Sequence, residues 1–120
     1  MEGCVFCAIA RGEAPADMLY QDKEVSAFRS NRPAAKVHVL VIPNKHLNSM
    51  NEVEEGDAEL LGKLVLTAKK LAFELGIAHS GYRLVFNSGA DAGQTVFHIH
   101  LHLLGGERLF FRPLEDRRAL

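Results

Sequence analysis

The chain has 120 residues, nearly half of them hydrophobic, which is enough for one domain with a real core. Fourteen Lys and Arg against fifteen Asp and Glu give a net charge of -1, so no global pull toward nucleic acid or an anionic membrane is implied. The apolar runs are too short to span a bilayer, and Arg11 and Glu13 come too soon to leave a secretory apolar region, so the expectation is a soluble cytoplasmic protein.

Cys4 and Cys7 are the two cysteines, spaced Cys-x-x-Cys at the extreme N-terminus. A redox motif of that spacing follows a strand and opens a long helix, and no strand precedes this one. Half of a metal site is the better reading. Cys4 to Ala10 reads as a short helix ended by Arg11-Gly12 and the Pro15 turn. Met18–Tyr20 and Val25–Phe28, joined through Gln21-Asp22-Lys23-Glu24, read as a hairpin, and Arg29 to Pro33 as a loop. Val37–Ile42 is a β-branched strand stopped by Pro43, with His38, Leu40 and Ile42 on one face and Val37, Val39 and Val41 on the other.

Leu60, Leu61, Leu64, Val65, Ala68, Leu71, Ala72 and Leu75 recur at helical spacing and predict one long helix, with acidic residues near its start and Gly76 at its end. Tyr82–Asn87 is a further strand. The loop Ser88–Gln94 carries Gly89 and Gly93, whose backbone freedom can let N–H groups converge on an anion, although an ordinary hairpin connection reads equally well. It delivers the chain into Val96-Phe97-His98-Ile99-His100-Leu101-His102-Leu103-Leu104, where histidine alternates strictly with apolar residues. That is the period of a strand. It predicts Phe97, Ile99, Leu101 and Leu103 in the core and His98, His100 and His102 along the other face, about 7 Å apart. Such a row suits metal binding or phosphorus chemistry, and alone does not choose between them. Arg112, Arg117 and Arg118, balanced by Glu115 and Asp116, read as a solvated tail. The order of elements is that of an α+β domain with an antiparallel sheet of about five strands, and the whole of 1–120 reads as one domain.

His98-Ile99-His100-Leu101-His102-Leu103-Leu104 resembles the histidine-triad signature, His-x-His-x-His-x-x with apolar x. The likeness extends through Phe28, His38 to Pro43, Lys45-His46, Gly81-Tyr82-Arg83, Asn87, Gly93-Gln94-Thr95 and Gly105-Gly106. The sequence is similar to the branch of small dimeric nucleotide phosphoramidases and hydrolases. The resemblance implies that His100 attacks the α-phosphorus of a nucleoside phosphoramidate, that a nucleotidyl-histidine forms, and that water then cleaves it. It implies that the His98 main-chain carbonyl orients His100, that His102 contacts the phosphate and helps protonate the leaving group, and that His38 and Thr95 support the cluster. Phe6, Ile9, Phe28 and Leu40 map onto the apolar base cleft, Asn87, Gly93 and Gln94 onto phosphate and ribose contacts, and Arg29-Ser30 onto the ribose position. There the family usually carries an aspartate. This chain has Ser30, which weakens the expected grip on the ribose. Members with the Cys-x-x-Cys pair resemble zinc proteins, implying a structural zinc on Cys4, Cys7, His46 and His98 that is not needed for the chemical step. A purine-type nucleotide substrate and a homodimer are also implied. The alternatives are a dinucleoside polyphosphate hydrolase and a non-enzymatic metal-binding or scaffold protein.

Overall fold

The computed structural model describes residues 1–110. The expected tail cluster Arg112, Arg117, Arg118 with Glu115 and Asp116 lies outside the described residues. Two α-helices and five strands follow in order: α1 (Val5–Ala10), β1 (Met18–Gln21), β2 (Val25–Arg29), β3 (Val37–Pro43), α2 (Ala58–Glu74), β4 (Tyr82–Phe86) and β5 (Leu101–Gly105). The strands form one antiparallel sheet in the order β1-β2-β3-β5-β4.

The alternation in β3 sends its residues to two faces, as the sequence predicts, and each face meets its own core. Val39 and Val41 point one way and join Val25, Ala27, Leu101 and Leu103 beneath Leu64, Ala68 and Leu71 of α2. Leu40 and Ile42 point the other way and join Phe28 with Phe6 and Ile9 of α1. The helical stripe holds for Leu64, Ala68, Leu71 and Ala72, while Val65, expected on it, is 40% exposed. The β1–β2 turn is tied by Asp22, whose carboxylate accepts from the N–H groups of Glu24 and Val25 and from the Tyr20 hydroxyl. Gly105 sits where β5 pairs with both β3 and β4, and a Cβ there would lie 2.7 Å from Ile77 Cδ1.

One expectation fails in part. The strand predicted over Val96–Leu104 begins only at Leu101, and the backbone of 96–100 is irregular. Phe97, expected in the core, is 49% exposed. The reason lies in the partner strand. The β3–β5 ladder ends at the pair Val41–Leu101, and Pro43, which would stand opposite Ile99, has no N–H to donate. The Ile99 N–H turns instead to the Leu47 carbonyl at 2.7 Å.

Candidate active site

Because the ladder stops at Leu101, the three histidines do not form one row. His98 is fully buried, and its Nε2–H donates to the Pro43 carbonyl at 2.8 Å, which leaves Nδ1 as a lone pair. That Nδ1 stands 3.3 Å from Cys4 Sγ and 3.5 Å from Cys7 Sγ. Cys7 Sγ is also 3.3 Å from His46 Nδ1, whose Nε2 bonds Asn48 Oδ1 at 2.8 Å. The four donor atoms lie within 4.8 Å of one another. Sulfur and imidazole donors on a tetrahedral zinc-type cation stand about 3.5 Å apart, so this set fits such an ion with both histidines oriented by oxygen acceptors. Burial pushes the Cys7 thiol up, and hydrogen bonds to His46 and Cys4 more than offset it, so its net shift is downward.

His100 and His102 turn the other way. They line a cavity of about 600 Å³ together with His38, Phe6, Ile9, Phe28, Leu40 and Thr95, a size that accommodates a nucleotide-scale ligand. The His100 Nδ1–H donates to the His98 carbonyl at 2.8 Å, which fixes the lone pair on Nε2. Burial holds the His100 ring below the ordinary histidine range despite that bond. Phe6 of α1 packs edge-on against it, with ring centres 5.2 Å apart.

The second half of the cluster is a relay of fixed tautomers. The Ala34 N–H donates to His38 Nδ1 at 2.9 Å, so the neutral His38 ring carries its proton on Nε2. His38 Nε2 is 2.9 Å from His102 Nδ1, which must then accept, leaving the His102 proton on Nε2. That atom is buried and has no partner among the described residues. Burial, with His100 and His38 alongside, pushes His102 down to about 4, and burial likewise lowers His38. At neutral pH the cavity therefore holds a nitrogen lone pair on His100 and an unpaired N–H on His102, their rings 4.9 Å apart.

Arg29 and Ser30, also predicted from sequence, line the same cavity, and Arg29 is paired with Asp17. Asn87, Gly93 and Gln94 do not line it. Gln94 braces its own loop: its Oε1 accepts from the Gly89 N–H, and its amide nitrogen donates to the carbonyls of Asn48 and Val96. The N–H groups of residues 89, 92, 93 and 94 are all spent within the loop, so the anion cradle expected there is closed on itself. Residues outside the expected set line the cavity as well: Val5, Pro15, Ala16 and Asp17 beside α1, and Asn31, Arg32 and Val96. The polar run after Phe28 is the available signal for Asn31 and Arg32.

A family model described as the HIT domain matches residues 11–109. The chain belongs to the HIT, or histidine-triad, family. The HIT chain is 44% identical over 108 residues to the purine nucleoside phosphoramidase of Escherichia coli K12, covering 90% of this chain and 91% of that one. Among solved structures, a HIT family hydrolase from Legionella pneumophila Philadelphia 1 superposes with a TM-score of 0.90 at 50% identity, covering 92% of this chain and 99% of that one. A zinc-bound histidine triad family protein from Mycobacterium smegmatis superposes at 0.77 with 35% identity, covering 92% of this chain and 81% of that one. This HIT protein is a hydrolase.

Proposed function

We propose that this HIT hydrolase cleaves a nucleoside 5′-phosphoramidate, or a closely related nucleotide, at the α-phosphorus through a nucleotidyl-histidine on His100. The observation that carries the reading is the opposed state of two neighbouring rings. His100 is held by the His98 carbonyl with Nε2 as a lone pair, and His102 is held by His38 with Nε2 as an unpaired donor. In the first step His100 Nε2 bonds to phosphorus and the P–N bond breaks. Its electron pair leaves on the amine, which takes a proton from His102 Nε2; the negative charge left on His102 is balanced by the positive charge His100 gains on bonding to phosphorus and is held by the His38 Nε2–H. In the second step water displaces His100 from phosphorus and gives a proton back to His102, releasing the nucleoside monophosphate. The apolar side of the cavity, Phe6, Ile9, Phe28 and Leu40, suits a planar base, in keeping with the purine nucleoside named in the Escherichia coli relative. Thr95 offers a hydroxyl to the phosphate from the same wall.

Zinc is the ion proposed for Cys4, Cys7, His46 and His98. Two thiolates and two imidazoles suit it, and the mycobacterial relative is described as zinc-bound. Four protein ligands leave no open position, so the ion would cross-link the fold rather than activate water. A homodimer is the assembly we infer. Its support is the half-exposed edge strand β4 and the exposed Phe73 on α2, and light scattering at two concentrations tests it.

Single-turnover mixing with a labelled adenosine phosphoramidate tests the central reading. The native protein should trap a covalent adduct, and His100→Ala should trap none. His102→Ala should slow adduct formation about 10²–10⁴-fold. Adduct formation by His100→Ala would overturn the assignment.

A further inference from the structure

The cavity that holds His100 carries one positive charge that the chemistry above does not use. Asp17 and Arg29 both line it, with Arg29 Nε 3.3 Å from Asp17 Oδ2, and they neutralise each other. Arg32 lines the same cavity, and its guanidinium has no partner among the described residues.

Strand register fixes where along the wall Arg32 stands. The pair Phe28–Leu40 forms the apolar step between β2 and β3. Two residues further along both strands, the Ser30 N–H donates to the His38 carbonyl at 2.9 Å, and that is the histidine step. Arg32 is tied to this second step, because its own N–H donates to Ser30 Oγ at 3.1 Å. The next anchor, Ala34 N–H to His38 Nδ1, pins the loop beyond it. The backbone on both sides of Arg32 is therefore held against the histidine relay while its side chain stays free at the rim.

In a nucleotide with its base on the Phe28–Leu40 step and its phosphorus at His100, the group passing between them is the sugar. On this wall the sugar meets no free carboxylate, since Asp17 is the lining's one acid and is already paired. It meets a guanidinium, whose planar fork of N–H donors matches phosphate oxygens two at a time. We propose that Arg32 forms a subsite for a phosphate on the sugar, so that the preferred substrate class is a 5′-nucleotide derivative bearing a second phosphate at the ribose 2′ or 3′ oxygen. This specificity rests on the nucleotidyl-transfer reading.

The test compares adenosine 5′-phosphoramidate with its 3′-phosphorylated and 2′-phosphorylated counterparts. The native protein should favour one phosphorylated substrate about tenfold in kcat/KM, the scale of one charge-assisted contact. Arg32→Ala should bring that ratio near one, and Arg32→Lys should retain part of it. A native ratio of one or less overturns the subsite. So does an Arg32→Ala variant that loses activity equally on all three substrates, since the arginine would then be serving the reacting phosphorus. Calorimetry with adenosine 3′,5′-bisphosphate, adenosine 2′,5′-bisphosphate and adenosine 5′-monophosphate separates the two claims. Absence of turnover on every substrate would sink the nucleotidyl-transfer reading alone. Equal binding of the three nucleotides would sink the subsite whatever the turnover.

Discussion

His38 shows how far one side chain's influence reaches. It lines the same cavity as His100 and decides which nitrogen of His102 carries the proton. Removing it leaves the Ala34 N–H and His102 Nδ1 without partners in a region where each ring is kept neutral by burial. His38→Ala should therefore lose about 1–3 kcal/mol of stability in urea titration and lower kcat more than it changes KM. The same neutrality sets a pH dependence. His102, at about 4, and His38, also lowered, bind fewer protons folded than unfolded, so stability must fall as pH drops from about 6.5 toward 4. His100 lowers both rings and His38 lowers His102 further, so these neighbours add to the effect of burial. Melting temperatures taken from pH 7 to pH 5 should decline, and a double variant His38→Gln, His102→Asn should decline less steeply. A flat native profile would contradict the buried neutral rings.

At the scale of elements, β5 has a crowded end. Gly105 is backed by Ile77 Cδ1 at 2.7 Å and the Gly81 carbonyl at 3.3 Å from where a Cβ would stand. Gly105→Ala should cost about 1–3 kcal/mol through overpacking, read from denaturation midpoints. An unchanged midpoint would mean that Ile77 repacks freely. The elements are also where the sequence was most and least informative. Alternation in β3 and the leucine stripe of α2 report directly which face is buried, because burial is what selects those residues. The two faces of β3 and most of the buried stripe of α2 followed from them. The alternation at 96–100 misled, since it was chosen for the histidines' two destinations and not for a ladder, and Pro43 on another strand decides where pairing stops. The loop before it misled for a similar reason. Whether glycine N–H groups are free depends on where the Gln94 amide folds, which spacing does not reveal. Among site residues, His38, His100, His102, Thr95 and the apolar wall were legible as a set that converges on one cavity. Arg32 was not, because nothing local separates a rim arginine from a solvated one.

Across the molecule, the thiol–imidazole cluster joins regions distant in sequence: the N-terminus, the chain after β3 and the approach to β5. Stripping a bound ion with a chelator, or replacing Cys7 by Ser, should lower the melting temperature by at least about 5 °C, equivalent to roughly 1 kcal/mol. Metal analysis should find close to one zinc per chain before treatment. An unchanged transition with no zinc would remove the cross-link from the account.

Helix α1 has six residues, far below the length at which a helix sustains itself in water, yet it supplies Phe6 and Ile9 to the ligand cavity. What keeps it in place is borrowed: cysteine at its cap, cysteine in its first turn, and the imidazoles they meet. Loosen that clasp and the strands carrying His38 and His102 keep their pairing, while one side of the binding slot swings away. Such a molecule would look folded by circular dichroism and still grip nucleotides poorly, so an enzyme preparation that saturates late deserves a metal assay before a sequence check.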